Sequence, residues 1–276
     1  MTFSIVARSA DGQTWGVAVA SRFLAVGSVV PAAVAGIGAI ATQAEANVAF
    51  KGLGLSHLDE GATAGVALAR LLEEDPGRDQ RQVGIVDMDG GSASHTGRGC
   101  ADWAGGVTDR DVAIQGNILV GPEVVEAMKT SWDSTRDEPD LARRLLRALQ
   151  AGDEVGGDRR GRQSAALLVV REGAGYGAGD DVAADLRVDD HEDPCAELER
   201  LLDLSDLYLT ASTDEEKVSI TPELRTEIDD RARKLGHSDF VAWVGSENFE
   251  MRVASAGEDP QWVDEQVLEI LRSRSA

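Results

Sequence analysis

Thr2 is the residue best placed to do chemistry. It opens the stretch Thr2-Phe3-Ser4-Ile5-Val6-Ala7-Arg8, with Phe3, Ile5 and Ala7 apolar and Thr2, Ser4, Val6 and Arg8 mixed. That alternation predicts a strand. A small second residue permits removal of Met1, which would leave a strand beginning on a free Thr2. An α-amine, with a reference pKa near ~8, lies within reach of its own hydroxyl there and can act as the base that activates a weak nucleophile. The alternative is that Thr2 is an edge residue of a buried strand.

Other residues could complete such a site. Gln115-Gly116-Asn117 ends a second candidate strand. Its glycine lets backbone approach a ligand, and the Asn117 amide can donate to an oxyanion. Plain turn chemistry accounts for Gly-Asn as well. Thr42 and Gln43 close a strand expected beside the first, so Gln43 is a candidate substrate contact. The loop Gly157-Asp158-Arg159-Arg160-Gly161-Arg162 could hold a carboxylate or phosphate through Arg159 and a backbone nest. It could equally be a loop locked by internal Asp–Arg pairs at a subunit contact. It lacks the Gly-Lys-Ser/Thr ending of a Walker loop. Asp189-Asp190-His191-Glu192-Asp193 could ligate a hard cation or be the solvated start of a helix. We assign it no metal. Cys100 and Cys195 stand in no metal spacing, and His57, His95, His191 and His237 form no HxxxH pair. No cofactor is expected.

Composition narrows the partners. With 49 acidic residues against 27 basic ones the formal charge is −22, and only Lys51, Lys129, Lys217 and Lys234 are lysines. Nucleic acid is excluded as a partner, since its binding relies on phosphate neutralisation. An acidic, lysine-poor surface fits a salt-adapted host. No run of ~18 apolar residues predicts a membrane span. No basic, apolar, small-residue leader occurs, so a cytoplasmic location is expected.

The elements that must position these residues follow from pattern. Asp11-Gly12 between residues 2–8 and 14–21 predicts a hairpin. Further strands are expected at 38–44, 82–87, 92–96, 112–117, 163–170 and 182–188. Helices are expected at 47–58, after Thr63, after Pro122, and from Asp140 to a stop at Gly152. A helix from Pro194 runs toward Leu209, and an acidic linker covers 210–217. An all-helical unit follows: one helix from Thr221-Pro222 to Gly236, one capped by Ser238 or Asp239, and one starting at Asp259-Pro260 and carrying Val263, Val267, Ile270 and Leu271. The domains expected are 1–209 and 210–276.

Several long strings, among them Gly16-Val17-Ala18-Val19-Ala20-Ser21-Arg22-Phe23-Leu24-Ala25-Val26-Gly27, Ala41-Thr42-Gln43-Ala44, Gln115-Gly116-Asn117 and the arginine loop with Gln163 to Ala166, resemble the DUF1028 family over roughly 2–205. That family is a branch of the N-terminal-nucleophile hydrolases whose own chemistry is not established. The resemblance implies an α+β fold, a four-layer αββα sandwich, and an amidohydrolase cleaving a small amide or peptide-like bond with Thr2 as nucleophile. It also favours Asn117, with Gln115 and Gly116, as site residues. Several members of the superfamily set a lysine near the nucleophile. None of the four lysines here falls on an early strand, and Arg22 is the nearest cation that could hold the amine neutral. The C-terminal unit resembles a small domain called peptidoglycan-binding, a name not carried over as function. A homodimer is expected. The alternative from another class is a non-catalytic binding or scaffold protein on the same fold.

Overall fold

The computed structural model describes residues 2–254 and 260–276. The chain divides into two units, Met1–Leu202 and Asp203–Ala276.

In the first unit, β1 (Thr2–Arg8) and β2 (Thr14–Ser21) form the Asp11-Gly12 hairpin, with Gly12 at φ +72°. β3 (Pro31–Val34) and β4 (Gly38–Ala44) lead into α1 (Ala49–Asp59) and α2 (Ala64–Glu73). β5 (Arg81–Asp87), β6 (Ser92–Thr96), β7 (Gly105–Asp109) and β8 (Val112–Asn117) come next. They are followed by α3 (Glu123–Ser134), α4 (Leu141–Glu154), β9 (Ser164–Arg171) and β10 (Val182–Val188). The strands form two antiparallel sheets, ordered β10-β9-β2-β1-β8-β7 and β3-β4-β5-β6.

The alternation read in β1 sorts its side chains. Phe3, Ile5 and Ala7 pack with Ile114 of β8 and with Val124, Leu145 and Leu149 of α3 and α4. Val6 faces the other way and joins Val17 and Val19 against Ala39, Ala41 and Val86 of the second sheet. The far face of that sheet, with Ile40, Val83 and Ile85, is covered by Phe50, Leu58, Ala67 and Leu71 of α1 and α2. Both faces of each sheet are therefore apolar, which is why the strands read as near-continuous apolar runs.

Caps hold where they were expected. Thr63 accepts from the Val66 N–H, and Asp140 accepts from the Ala142 N–H at 2.8 Å. Gly152 does not stop α4. It lies inside the helix, where a β-carbon would sit 2.7 Å from Met128 Cγ, so the glycine serves the close α3–α4 approach. β3 and β7 were not expected as strands. Pro31 opens an edge strand, where a missing N–H is tolerated. β7 carries two glycines and an aspartate and is a strand only because β8 pairs with it.

α5 (Pro194–Leu209) runs across the division between the units. The second unit is not all-helical. It contains β11 (Lys217–Ser219), α6 (Pro222–Lys234), α7 (Phe240–Glu247), β12 (Trp262–Asp264) and α8 (Glu265–Arg274), and β11 pairs antiparallel with β12. Lys217 is thus in a strand and not in a linker. Val263 packs from β12 beside Val267 and Leu271 instead of lying on the helix, and Asp264 caps α8 through the Gln266 N–H. A three-residue strand whose partner is some 45 positions away leaves no local period to read. Asp259, the expected helix start, lies outside the described residues.

Candidate functional site

The Thr2 end of β1 lies between β2 and β8. Thr2 is opposite Asn117, and Ser4 is opposite Gln115. Because side chains alternate, Thr2 and Ser4 share the face turned toward the second sheet. From that sheet come Gln43 of β4 and Gln82 of β5, themselves opposite one another.

These residues form one buried network of neutral polar groups. The Ser4 hydroxyl donates to Gln43 Oε1 at 2.8 Å and accepts from Gln115 Nε2 at 2.7 Å. Gln43 Nε2 donates to Gln82 Oε1 at 2.8 Å, and Asn117 Nδ2 donates to the same oxygen at 2.9 Å. Gln82 Nε2 reaches the Gly116 carbonyl at 2.7 Å. The Thr2 carbonyl accepts from Gln43 Nε2 at 3.3 Å and from Asn117 Nδ2 at 3.4 Å. Gly84 leaves the room this needs, since a β-carbon there would lie 2.1 Å from Gln115 Oε1. That oxygen and Ser94 Oγ are buried without a hydrogen-bond partner among the described residues.

Thr2 itself is 7% exposed, and its Oγ1 is 3.0 Å from Ser21 Oγ. The backbone turns sharply just beyond two of the network residues. Ala44 follows Gln43 at φ +69°, and Ile118 follows Asn117 at φ +52°. Positive φ is an outlier for a β-branched residue, and such strain concentrates where a site must be held in one geometry.

The remaining candidates gather in the arginine loop. Asp158 is buried and accepts from the Arg22 backbone N–H at 2.7 Å and the Arg160 N–H at 2.8 Å. Its carboxylate therefore braces the loop, the second of the two readings open in the sequence. Arg22 turns its guanidinium to the Arg162 carbonyl at 3.4 Å. Arg159 donates to the Asp102 carbonyl, and its backbone N–H reaches the Ile118 carbonyl. Arg22 and Asp158 lie on the wall of a cavity of about 510 Å³, where two arginines face four carboxylates. Among the latter, burial pushes the Asp153 carboxyl up, opposed by Arg162 at 2.9 Å.

Five of the expected residues, Thr2, Gln43, Gln115, Gly116 and Asn117, thus meet in one network. Arg22 and Asp158 meet each other, and Arg159 is turned to a separate loop. Ser4, Ser21 and Gln82 were missed. Ser4 could have been found, because it lies two residues from Thr2 on a period-two strand. Gln82 could not, because its place depends on register with β4.

A model of the family described as "Family of unknown function (DUF1028)" matches residues 2–198. The chain belongs to the DUF1028 family. A crystal structure of another DUF1028 protein, SPO2555 from Silicibacter pomeroyi, is similar at 29% identity and TM-score 0.67. That match covers 77% of this chain and 90% of the other. No curated protein matches this DUF1028 chain. Among its described residues no helix is long and apolar enough to cross a membrane.

Proposed function

We propose that the chain is an amidohydrolase of the N-terminal-nucleophile type, cleaving a small amide or peptide-like C–N bond. The packing order supports the αββα sandwich of that superfamily, with α1 and α2, two facing sheets, then α3 and α4. The observation that carries the reading is the setting of Thr2. The residue that would carry the free amine opens a central strand, with its carbonyl clamped by Gln43 and Asn117 and its hydroxyl against Ser21.

In this reading the Thr2 Oγ–H gives its proton to the Thr2 amine as Oγ adds to the substrate carbonyl carbon. The tetrahedral oxyanion collapses, the C–N bond breaks, and the leaving amine takes that proton. Water then cleaves the Thr2 ester by the same base. Both N–H groups of the Asn117 amide already have acceptors. The Asn117 amide therefore holds the Thr2 end of β1 in place rather than receiving the oxyanion. Ser21 orients the nucleophile.

A second reading, a binding protein without catalysis, is favoured by the commitment of the Gln43 and Asn117 amides to internal partners. Intact mass and turnover distinguish the two. The hydrolase reading expects natively produced protein without Met1 and amide turnover lost in Thr2→Ala but partly kept in Thr2→Ser. Retained Met1, or undiminished turnover in Thr2→Ala, would overturn it.

A further inference from the structure

The opposite end of β1 holds a second cavity, of about 340 Å³. Thr2 and Arg8 are separated by six residue steps, roughly 20 Å at ~3.3 Å each. This cavity therefore belongs to a different part of the first unit from the Thr2 network. β1 supplies Arg8, the β7–β8 turn supplies Asp109, Arg110 and Asp111, and the facing ends of α3 and α4 close it. Its volume is at the lower end of the range for small-molecule sites.

The wall has the opposite charge to the protein. Four arginines, Arg8, Arg110, Arg136 and Arg144, face three aspartates, Asp109, Asp111 and Asp133, in a chain whose formal charge is −22. Each aspartate is paired. Asp111 takes Arg8 at 2.8 Å, Asp133 takes Lys129 at 2.6 Å and Arg136 at 3.4 Å, and Asp109 takes Lys129 at 3.3 Å. Arg144 is the cation left over. It is 5% exposed, yet no carboxylate pairs with it among the described residues. Its guanidinium lies 3.7 Å over the Trp132 ring, and it makes one hydrogen bond, to the Trp132 carbonyl at 3.2 Å. Its Nε is buried with no partner among the described residues.

A guanidinium carries five N–H donors, and an unpaired buried charge is costly. The fold tolerates that cost on the wall of a cavity. We propose that this cavity is a binding site for a small organic monocarboxylate, held by Arg144 and stacked beside Trp132. The one guanidinium without a carboxylate in salt-bridge contact matches a monoanion, and the paired aspartates repel a dianion. A planar pair of oxygens fits the guanidinium fork, whereas a spherical anion meets only one edge of it.

The test is calorimetric titration of the full chain with sodium acetate, propionate and benzoate, against sodium chloride at equal ionic strength. Saturable one-site binding is expected for a carboxylate and not for chloride. Arg144→Met should weaken it about tenfold or more, the loss expected for a charge-assisted pair. Arg136→Ala alters an exposed side chain and keeps the test available should Arg144→Met fail to fold. It should weaken binding by roughly threefold, as for loss of a rim charge. Thr2→Ala should leave binding unchanged, which separates this site from the hydrolase reading. The proposal is overturned if none of the three carboxylates saturates, if chloride binds equally well, or if affinity stays at the wild-type value in the folded variants.

Discussion

At the Thr2 end of β1 the polar groups are neutral, and Ser4, Gln43, Gln82 and Asn117 are tied into one another and into backbone carbonyls. At the Arg8 end they are charged, and the deepest of them, Arg144, has no carboxylate in salt-bridge contact among the described residues. The two ends lie on one strand and in one antiparallel sheet. Amides and hydroxyls can be enclosed between sheets because hydrogen bonds replace everything that water offered. A guanidinium cannot be enclosed in that way, so it survives only beside a cavity or a partner. The difference separates a region that fixes geometry from one that is kept ready for an ion.

The largest expected effect should come from removing one member of the neutral network. Gln82→Leu takes one acceptor from each of the Gln43 and Asn117 amides and the side-chain donor from the Gly116 carbonyl, and should cost about 3–5 kcal/mol by urea unfolding. A cost below about 1 kcal/mol would mean that the network is not a unit. A polar-to-apolar change at the other end should behave differently. Without ligand, Arg144→Met should stay within about 1 kcal/mol of the wild type, because a desolvated charge is lost along with its single hydrogen bond. A loss as large as that of Gln82→Leu would erase the contrast between the ends.

The smallest effect is one of pH. Hydrogen bonding by Lys129 first of all holds the Asp133 carboxyl below the usual aspartate value of 3.8. A depressed folded pKa means that stabilisation is full above that ordinary value and disappears as pH falls through the lowered one. Asp133→Asn should therefore cost a fraction of a kcal/mol at pH 7, discounted because the side chain is 39% exposed, and progressively less as pH falls below 3.8. The Gln82→Leu cost should not vary in that way between pH 7 and acid, since no side chain of the network titrates. Thermal unfolding of both variants at several pH values checks the pair.

Local signals carried much of the fold. Asp11-Gly12 gave the first hairpin, and Thr63, Asp140 and Thr221 each cap the helix their sequence announces. Such features act over a few residues, so the chain can be read for them directly. β7, β11 and β12 could not be read so, because a short or glycine-rich strand exists only through its partner. Asp158 could be singled out but not given its role, because the Arg22 N–H that it receives lies 136 positions away.

By itself the sequence determined that β1 alternates, that Thr2 and Ser4 share a face, and that Asn117 ends a strand. Tertiary structure alone decided that Gln82 stands between Gln43 and Asn117, and that Arg144 is buried over Trp132 beside an open cavity. Alternation depends on bonds between neighbours. Which polar atom meets which depends on the pairing of segments far apart in the chain, settled only when the sheets and helices close on one another.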